Sequence, residues 1–308
     1  MSIVNTLPQY VEDSNDRLLR DAILGSKTAQ MLTLQTGVKT QSAINLLSTS
    51  VVFQDGSGCG FSANGTSSVS QRIIKAPIIK VNMEFCDKTL LNSSMQHGVR
   101  VAAGQKTLPF EQDFIAGVVE KVDNAVDQII WQGDTTSTDL TLKWSDGLIK
   151  ILKADSDNVV KYTTAISATT IEAVIDNVFM AIPPAVLSGG NVKIFMGYDT
   201  FRTYLMAIRE KNYYHYNANG IDGEKFYYMG SNVEMVAVSG LDGTGVVVAG
   251  STDNLFYGTD LSGDDEKFDF WYSKDDGVFK LAIEFAIGVQ VAYPDSVVIS
   301  YYEAVVTP

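Results

Sequence analysis

From residue 278 onward, apolar side chains fall on every second position: Phe279, Leu281, Ile283, Phe285, Ile287, Val289, Val291 and Tyr293. Their alternates are Lys280, Ala282, Glu284, Ala286, Gly288, Gln290 and Ala292. A period of two predicts one long strand, or two end to end, with one buried face. Pro294-Asp295 then turns the chain into a last strand, Val297 to Tyr302. A helical period governs residues 109–132. Phe110, Phe114, Val118, Val122, Val126 and Ile130 recur every four residues, and Ile115, Val119 and Ile129 widen the stripe. Pro109 stands at the favoured start, Glu111 and Asp113 fill the first turn, and Gly133 follows the end. Such a helix would be roughly 36 Å long.

Between these two signals, residues 169–258 alternate helix and strand. Thr169-Thr170-Ile171-Glu172 reads as a capping box ahead of Ile171, Val174, Ile175, Val178, Phe179 and Ile182, a helical face stopped by Pro183-Pro184. Val192 to Met196 reads as a strand. Asp199 is placed to cap a helix carrying Phe201, Tyr204, Leu205 and Ile208. Short strands are predicted at Val233–Val238, Val246–Ala249 and Leu255–Tyr257, separated by Gly-rich turns.

The first 85 residues have a different character. Residues 1–40 are polar and mixed, with one short helix predicted over Asp13 to Leu24. Leu18, Leu19, Ala22 and Ile23 give it too little apolar surface to pack alone, so it reads as an arm that needs a partner surface. Residues 41–85 read as a long hairpin. Ile44 to Phe53 forms one leg, Asp55 to Ser68 a Gly/Ser-rich tip, and Val69 to Phe85 the return leg, where Ile79, Val81, Met83 and Phe85 alternate with polar residues. Legs of about 14 residues would reach ~45 Å, too long for the hairpin to bury itself.

Composition narrows the function classes. The chain has 308 residues, 45% hydrophobic and 19% charged, as expected of a globular protein. It opens without a basic, apolar leader, and no apolar run reaches the ~18 residues needed to cross a bilayer, so a cytosolic origin without membrane partners is expected. The net charge of -13 disfavours gripping nucleic acid phosphates. Two cysteines, Cys59 and Cys86, are too few for a disulfide framework. Only His97 and His215 are available for acid–base work, and no HExxH, P-loop or GxSxG pattern occurs. No catalytic, cofactor or metal residues are therefore assigned. The acidic stretch Asp260, Asp264, Asp265, Glu266, Asp269, Asp275 and Asp276 lacks calcium-loop spacing and reads as a solvated loop.

The order of these elements — arm, long two-stranded loop, long helix, α/β region, closing strand — resembles the Hong Kong 97-type capsid fold of tailed double-stranded DNA phages. The residues carrying the resemblance are Phe110–Gly133, similar to the family's spine helix; Val192–Leu205, similar to its strand-then-helix unit; Asn254–Asp260; and Phe285–Val298, similar to its closing strand. The resemblance implies an α+β fold with an N-terminal arm (1–40), an E-loop hairpin (41–85), a P-domain (86–160), an A-domain (161–272) and closing strands (273–308). It implies a major capsid protein that self-assembles into hexamers and pentamers around DNA without binding it specifically. Partners would be a separate scaffolding protein, a portal, and decoration or head-completion proteins. The tip 55–68 has no Lys, so the covalent crosslink known in some members is not expected here. Intersubunit contacts are expected at Gly58, Cys59, Phe61, Ile74, Ile78, Tyr213, Tyr214 and Tyr216. The alternatives are an encapsulin-type nanocompartment shell and an acidic α/β hydrolase using His97 or His215.

Overall fold

A computed structural model describes residues 3–55, 64–102, 110–211, 225–260 and 267–303. The chain starts with α1 (Ile3–Leu24), which carries Pro8 inside its first turns and is longer than the sequence suggested. Leu7, Val11, Leu18, Ala22 and Ile23 form its stripe, and all five are buried. They pack against the spine helix and the central sheet of the same chain. The arm thus finds its partner surface within its own subunit.

A short strand β1 (Thr33–Gln35) leads into the hairpin strands β2 (Thr40–Ser50) and β3 (Thr66–Ala76), paired from Thr40↔Ala76 to Ser50↔Thr66. The predicted return leg is two strands. Pro77 has no N–H for a ladder, and β4 (Ile78–Cys86) leaves the hairpin to join the central sheet. Next come α2 (Asp87–Ala102), α3 (Phe110–Gln132), α4 (Leu148–Asp155) and β5 (Val159–Tyr162). Pro109 lies outside the described residues.

The α/β region holds α5 (Ile171–Ala181), α6 (Pro184–Gly189), β6 (Val192–Gly197), α7 (Tyr198–Glu210), β7 (Phe226–Tyr227), β8 (Glu234–Val238) and β9 (Val247–Ser251). Two caps differ from expectation. Thr170 makes no side-chain cap bond to α5; its hydroxyl instead accepts from the Ser167 N–H, 2.9 Å away. At α7 the cap position is Gly197, and Asp199 sits in the first turn, its carboxylate accepting from Thr200 N and Gly243 N. The chain ends with β10 (Leu255–Thr259), β11 (Lys267–Ser273), β12 (Val278–Val291) and β13 (Val298–Tyr302). Residues 267–273, expected within a solvated loop, form a strand whose Phe268 and Phe270 are buried.

The central sheet has the order β1-β10-β12-β11, with β4 on the opposite side of β12. The second sheet runs β5-β13-β9-β6-β8-β7. Each of its faces is apolar, which is why its strands read as near-continuous hydrophobic runs. Phe195, Val236, Val248 and Ile299 face α3, while Ile194, Met235, Val247 and Val298 face α5 and α7. Val118 of α3 and Ile283 of β12 lie in one core, with Trp131 fully buried where α3 meets both sheets.

Candidate assembly surfaces

The base of the hairpin is seated on its own subunit. Gly258 and Gly288 are direct partners in the β10–β12 ladder, so two neighbouring positions on that sheet carry no side chain. Hairpin residues fill the space. A Cβ on Gly288 would overlap the Lys75 carbonyl, and one on Gly258 would stand 2.6 Å from Ile74 Cδ1. Ile44, Leu46, Ile74 and Ala76 are buried there with Val38, Ala286 and Ala292. Polar contacts fix the register: Gln290 Nε2 donates to the Ile73 carbonyl at 2.8 Å, and Arg72 pairs with Asp155 and donates to Gln290 Oε1 at 3.2 Å. At the root, Thr40 has φ +65°, and the Gln41 N–H donates to the Lys39 carbonyl at 2.7 Å. That is a γ-turn, strained for a β-branched residue.

Beyond this seat the hairpin projects. Every described residue from Leu47 to Asp55 and from Asn64 to Gln71 is exposed, including Phe53 at 95%. The two faces differ. Alternation places Ala43, Leu47, Val69 and Ile73 on one face, all exposed, with the Gln71–Asn45 side-chain bond of 2.8 Å between them. The opposite face is apolar near the seat, at Ile44, Leu46 and Ile74, but carries Ser48, Ser50, Thr66, Ser68 and Ser70 further out. Exposed apolar area of this kind marks interaction surface.

A second exposed apolar region lies beside the spine helix. A groove of about 470 Å³ between α3 and β4 is lined by Val81, Met83, Val118, Val122, Leu140 and Trp144, among others. Leu140 and Trp144 are 75% and 47% exposed. The segment carrying them is pinned by Lys150, whose ammonium reaches Asp134 Oδ1 at 2.7 Å and Asp146 Oδ1 at 2.6 Å. That bond, with those from Thr136, holds the Asp134 carboxyl down at about 2.

Of the expected contact residues, Ile78 is exposed, whereas Ile74 is fully buried in the hairpin seat and belongs to the intrachain core. Its side chain points to the seated face because Ser42↔Ile74 lies one residue out of phase with the exposed Ala43↔Ile73 pair. Gly58, Cys59, Phe61, Tyr213, Tyr214 and Tyr216 lie outside the described residues, as does His215. His97 is buried on α2, edge-on to Phe110 with ring centroids 6.0 Å apart. Cys86 is exposed; backbone N–H groups at the start of α2 lower its thiol. Among the described residues no group of three or more His, Cys, Asp or Glu could hold a metal ion, and no helix is long and apolar enough to cross a membrane. The sequence reading missed Leu140, Trp144, Leu47 and Val69. Only the last two carried a signal, as apolar residues at alternate positions of polar strands.

No protein-family model matches the sequence, and no curated protein sequence matches it. Solved structures do. A chain of the satellite phage P4 procapsid including size determination (Sid) protein is similar over 96% of this chain and 96% of that one, with TM-score 0.62 and 11% identity. A chain of Gordonia phage Cozz matches over 91% of this chain and 87% of that one, with TM-score 0.61 and 12% identity. A chain from the capsid of an empty GTA particle matches over 92% and 90%, with TM-score 0.56 and 12% identity. At such identities the likeness is one of fold. It runs end to end, and the fold is the Hong Kong 97-type capsid fold.

Proposed function

We propose that this chain is the structural subunit of an icosahedral phage head, assembling with copies of itself into hexamers and pentamers that enclose a double-stranded DNA genome. The observation that carries the reading is the hairpin, seated at its base and exposed at every described residue from Leu47 to Asp55 and from Asn64 to Gln71. On a chain with a capsid fold, a projecting element of this kind is placed to lie across an adjacent copy. Its 11-residue strands span about 37 Å, far enough to leave the parent subunit. The apolar face Ala43, Leu47, Val69 and Ile73 and the exposed Val51, Val52 and Phe53 supply contact area, and open strand edges supply backbone pairing. The net charge of -13 suits a wall that holds a genome without gripping it. The role is structural, not enzymatic; His97 is enclosed against Phe110 rather than presented in a cleft. A separate scaffolding protein, a portal, and decoration or head-completion proteins are the partners this role calls for, with assembly in the host cytoplasm.

Replacing residues 51–65 with a short Gly-Ser turn tests the reading. All of β2, β3 and the seat remain, so the subunit is expected to fold with unchanged thermal stability while shells fail to form or fall apart on mild heating. Shells of wild-type yield and heat resistance would show that the hairpin clamps nothing through its outer end, and the same result with Leu47→Asp and Val69→Asp added would extend that to the apolar face of the strands.

A further inference from the structure

The end of α1 meets the spine helix at Asp123. Gly25 follows α1 directly, and a Cβ there would stand 3.2 Å from Asp123 Oδ1 and 3.3 Å from Asp123 Cγ. The free carbonyls of a helix C-terminus carry partial negative charge, and the last turn of α1 has no basic residue. A carboxylate there has the wrong sign. Asp123 Oδ1 is shielded from solvent and accepts no hydrogen bond among the described residues. One turn further along α3, Asp127 is 2% exposed. Its Oδ2 accepts from the Ser239 hydroxyl and the Gly240 N–H, both at 2.6 Å, while its Oδ1 also lacks a partner.

The charged groups around Asp123 do not relieve it. On α3 these are Glu120 and Asp127. On α1 they are Arg17 and Asp21, which line the crevice between the helices together with Tyr10. The Arg17 guanidinium donates to the Tyr10 hydroxyl at 3.2 Å. On the loop after α1, Lys27 donates to the Ala237 carbonyl at 3.0 Å. Both cations engage other oxygens.

We propose that one proton held at Asp123 controls the docking of α1 on the spine helix. Protonated, the carboxyl carries no charge into the crevice that shields its Oδ1, and α1 stays seated; ionised, it leaves an unpaired charge there and loosens the helix. Burial, then the charges of Asp127 and Glu120, push the Asp123 carboxyl up to about 6 from an ordinary 3.8. The sign follows. The docked state binds the proton more tightly than the released one, so docking gains strength as pH falls through 6 and loses it above. A displacement of about two units corresponds to at most a ~100-fold change in the docking equilibrium, reached only below about pH 4; between pH 7.5 and 5.2 it gives at most about sevenfold, and solvent screening of this half-open group reduces the expectation to a few-fold.

Amide hydrogen exchange of the full chain at pH 5.2 and 7.5, corrected for intrinsic rates, reads this directly. The amides of α1 are expected to be a few-fold better protected at pH 5.2, with β12 unchanged. In Asp123→Asn the α1 amides should show the high protection at both pH values. Asp127→Asn keeps an acceptor for Ser239 and Gly240 and should move the midpoint down. Equal α1 protection at both pH values in the wild type overturns the proposal, and so does an undiminished pH dependence in Asp123→Asn. If Asp123→Asn fails to fold, the wild-type ratio and the direction of the Asp127→Asn midpoint decide.

Discussion

Gly288→Ala puts the seating of the hairpin to the test. Gly288 lies on β12 opposite Gly258, and a Cβ there would overlap the Lys75 carbonyl. The obstacle is backbone, so no rotamer change relieves it. Either β3 shifts bodily or the hairpin lifts off. Lifting off would expose Ile44, Leu46 and Ile74, now at 7%, 7% and 0%, at roughly 1.5–3 kcal/mol each. A shift of β3 is cheaper, at the upper end of the usual overpacking cost of ~1–3 kcal/mol. The expected destabilisation is therefore about 3 kcal/mol, which lowers the melting temperature of a chain of 308 residues by about 5 °C. Differential scanning calorimetry of unassembled subunit measures it. Gly117→Ala is the control, since a Cβ on Gly117 meets nothing within 4 Å; within a helix that change should stabilise by ~1 kcal/mol. Wild-type melting of Gly288→Ala would refute the seat.

Three further outcomes follow from the same geometry. Ile283→Ala removes a fully buried side chain from the core shared by α3 and β12 and should cost about 2–4 kcal/mol in urea unfolding. Val118→Asp should abolish folding, seen as loss of the cooperative transition, because it buries a charge without a partner. Asp134 lies below its ordinary carboxylate value because of Lys150 and Thr136. Its contribution is therefore complete above about pH 4 and fades as pH falls towards 2. In Lys150→Met, carbon-13 NMR titration should find the Asp134 carboxyl moved up towards its ordinary value but still held below it by the two bonds from Thr136, and an unmoved carboxyl would break the assignment.

The elements with strong periodicity were legible in the sequence. The stripe of α3 and the alternation of β12 each persist long enough that tertiary packing had nothing to override. The helix of α1 was half legible: Leu7 and Val11 continue the stripe of Leu18 and Ala22, but no sequence feature shows that its cover is the same chain's own α3 and β11. Strand β11 was hidden by its aspartates, although Phe268 and Phe270 alternate with them. Pro77 was the signal that the return leg divides, since a strand ladder cannot continue through it in the middle of a sheet. Helix α2 offers only a weak stripe, and α4 is eight residues long. Projection of the hairpin was legible from its length and polarity. Its seat was not, because Gly258 and Gly288 lie thirty positions apart and become neighbours only through the β10–β12 register.

Electron microscopy of the purified full-length protein, with a scaffolding partner or a crowding agent supplied, tests the central claim most directly. The account predicts closed icosahedral shells built of six- and five-fold clusters, with each hairpin density crossing onto the adjacent copy. A monodisperse monomer under those conditions, or shells in which residues 47–69 touch only their own subunit, would contradict it.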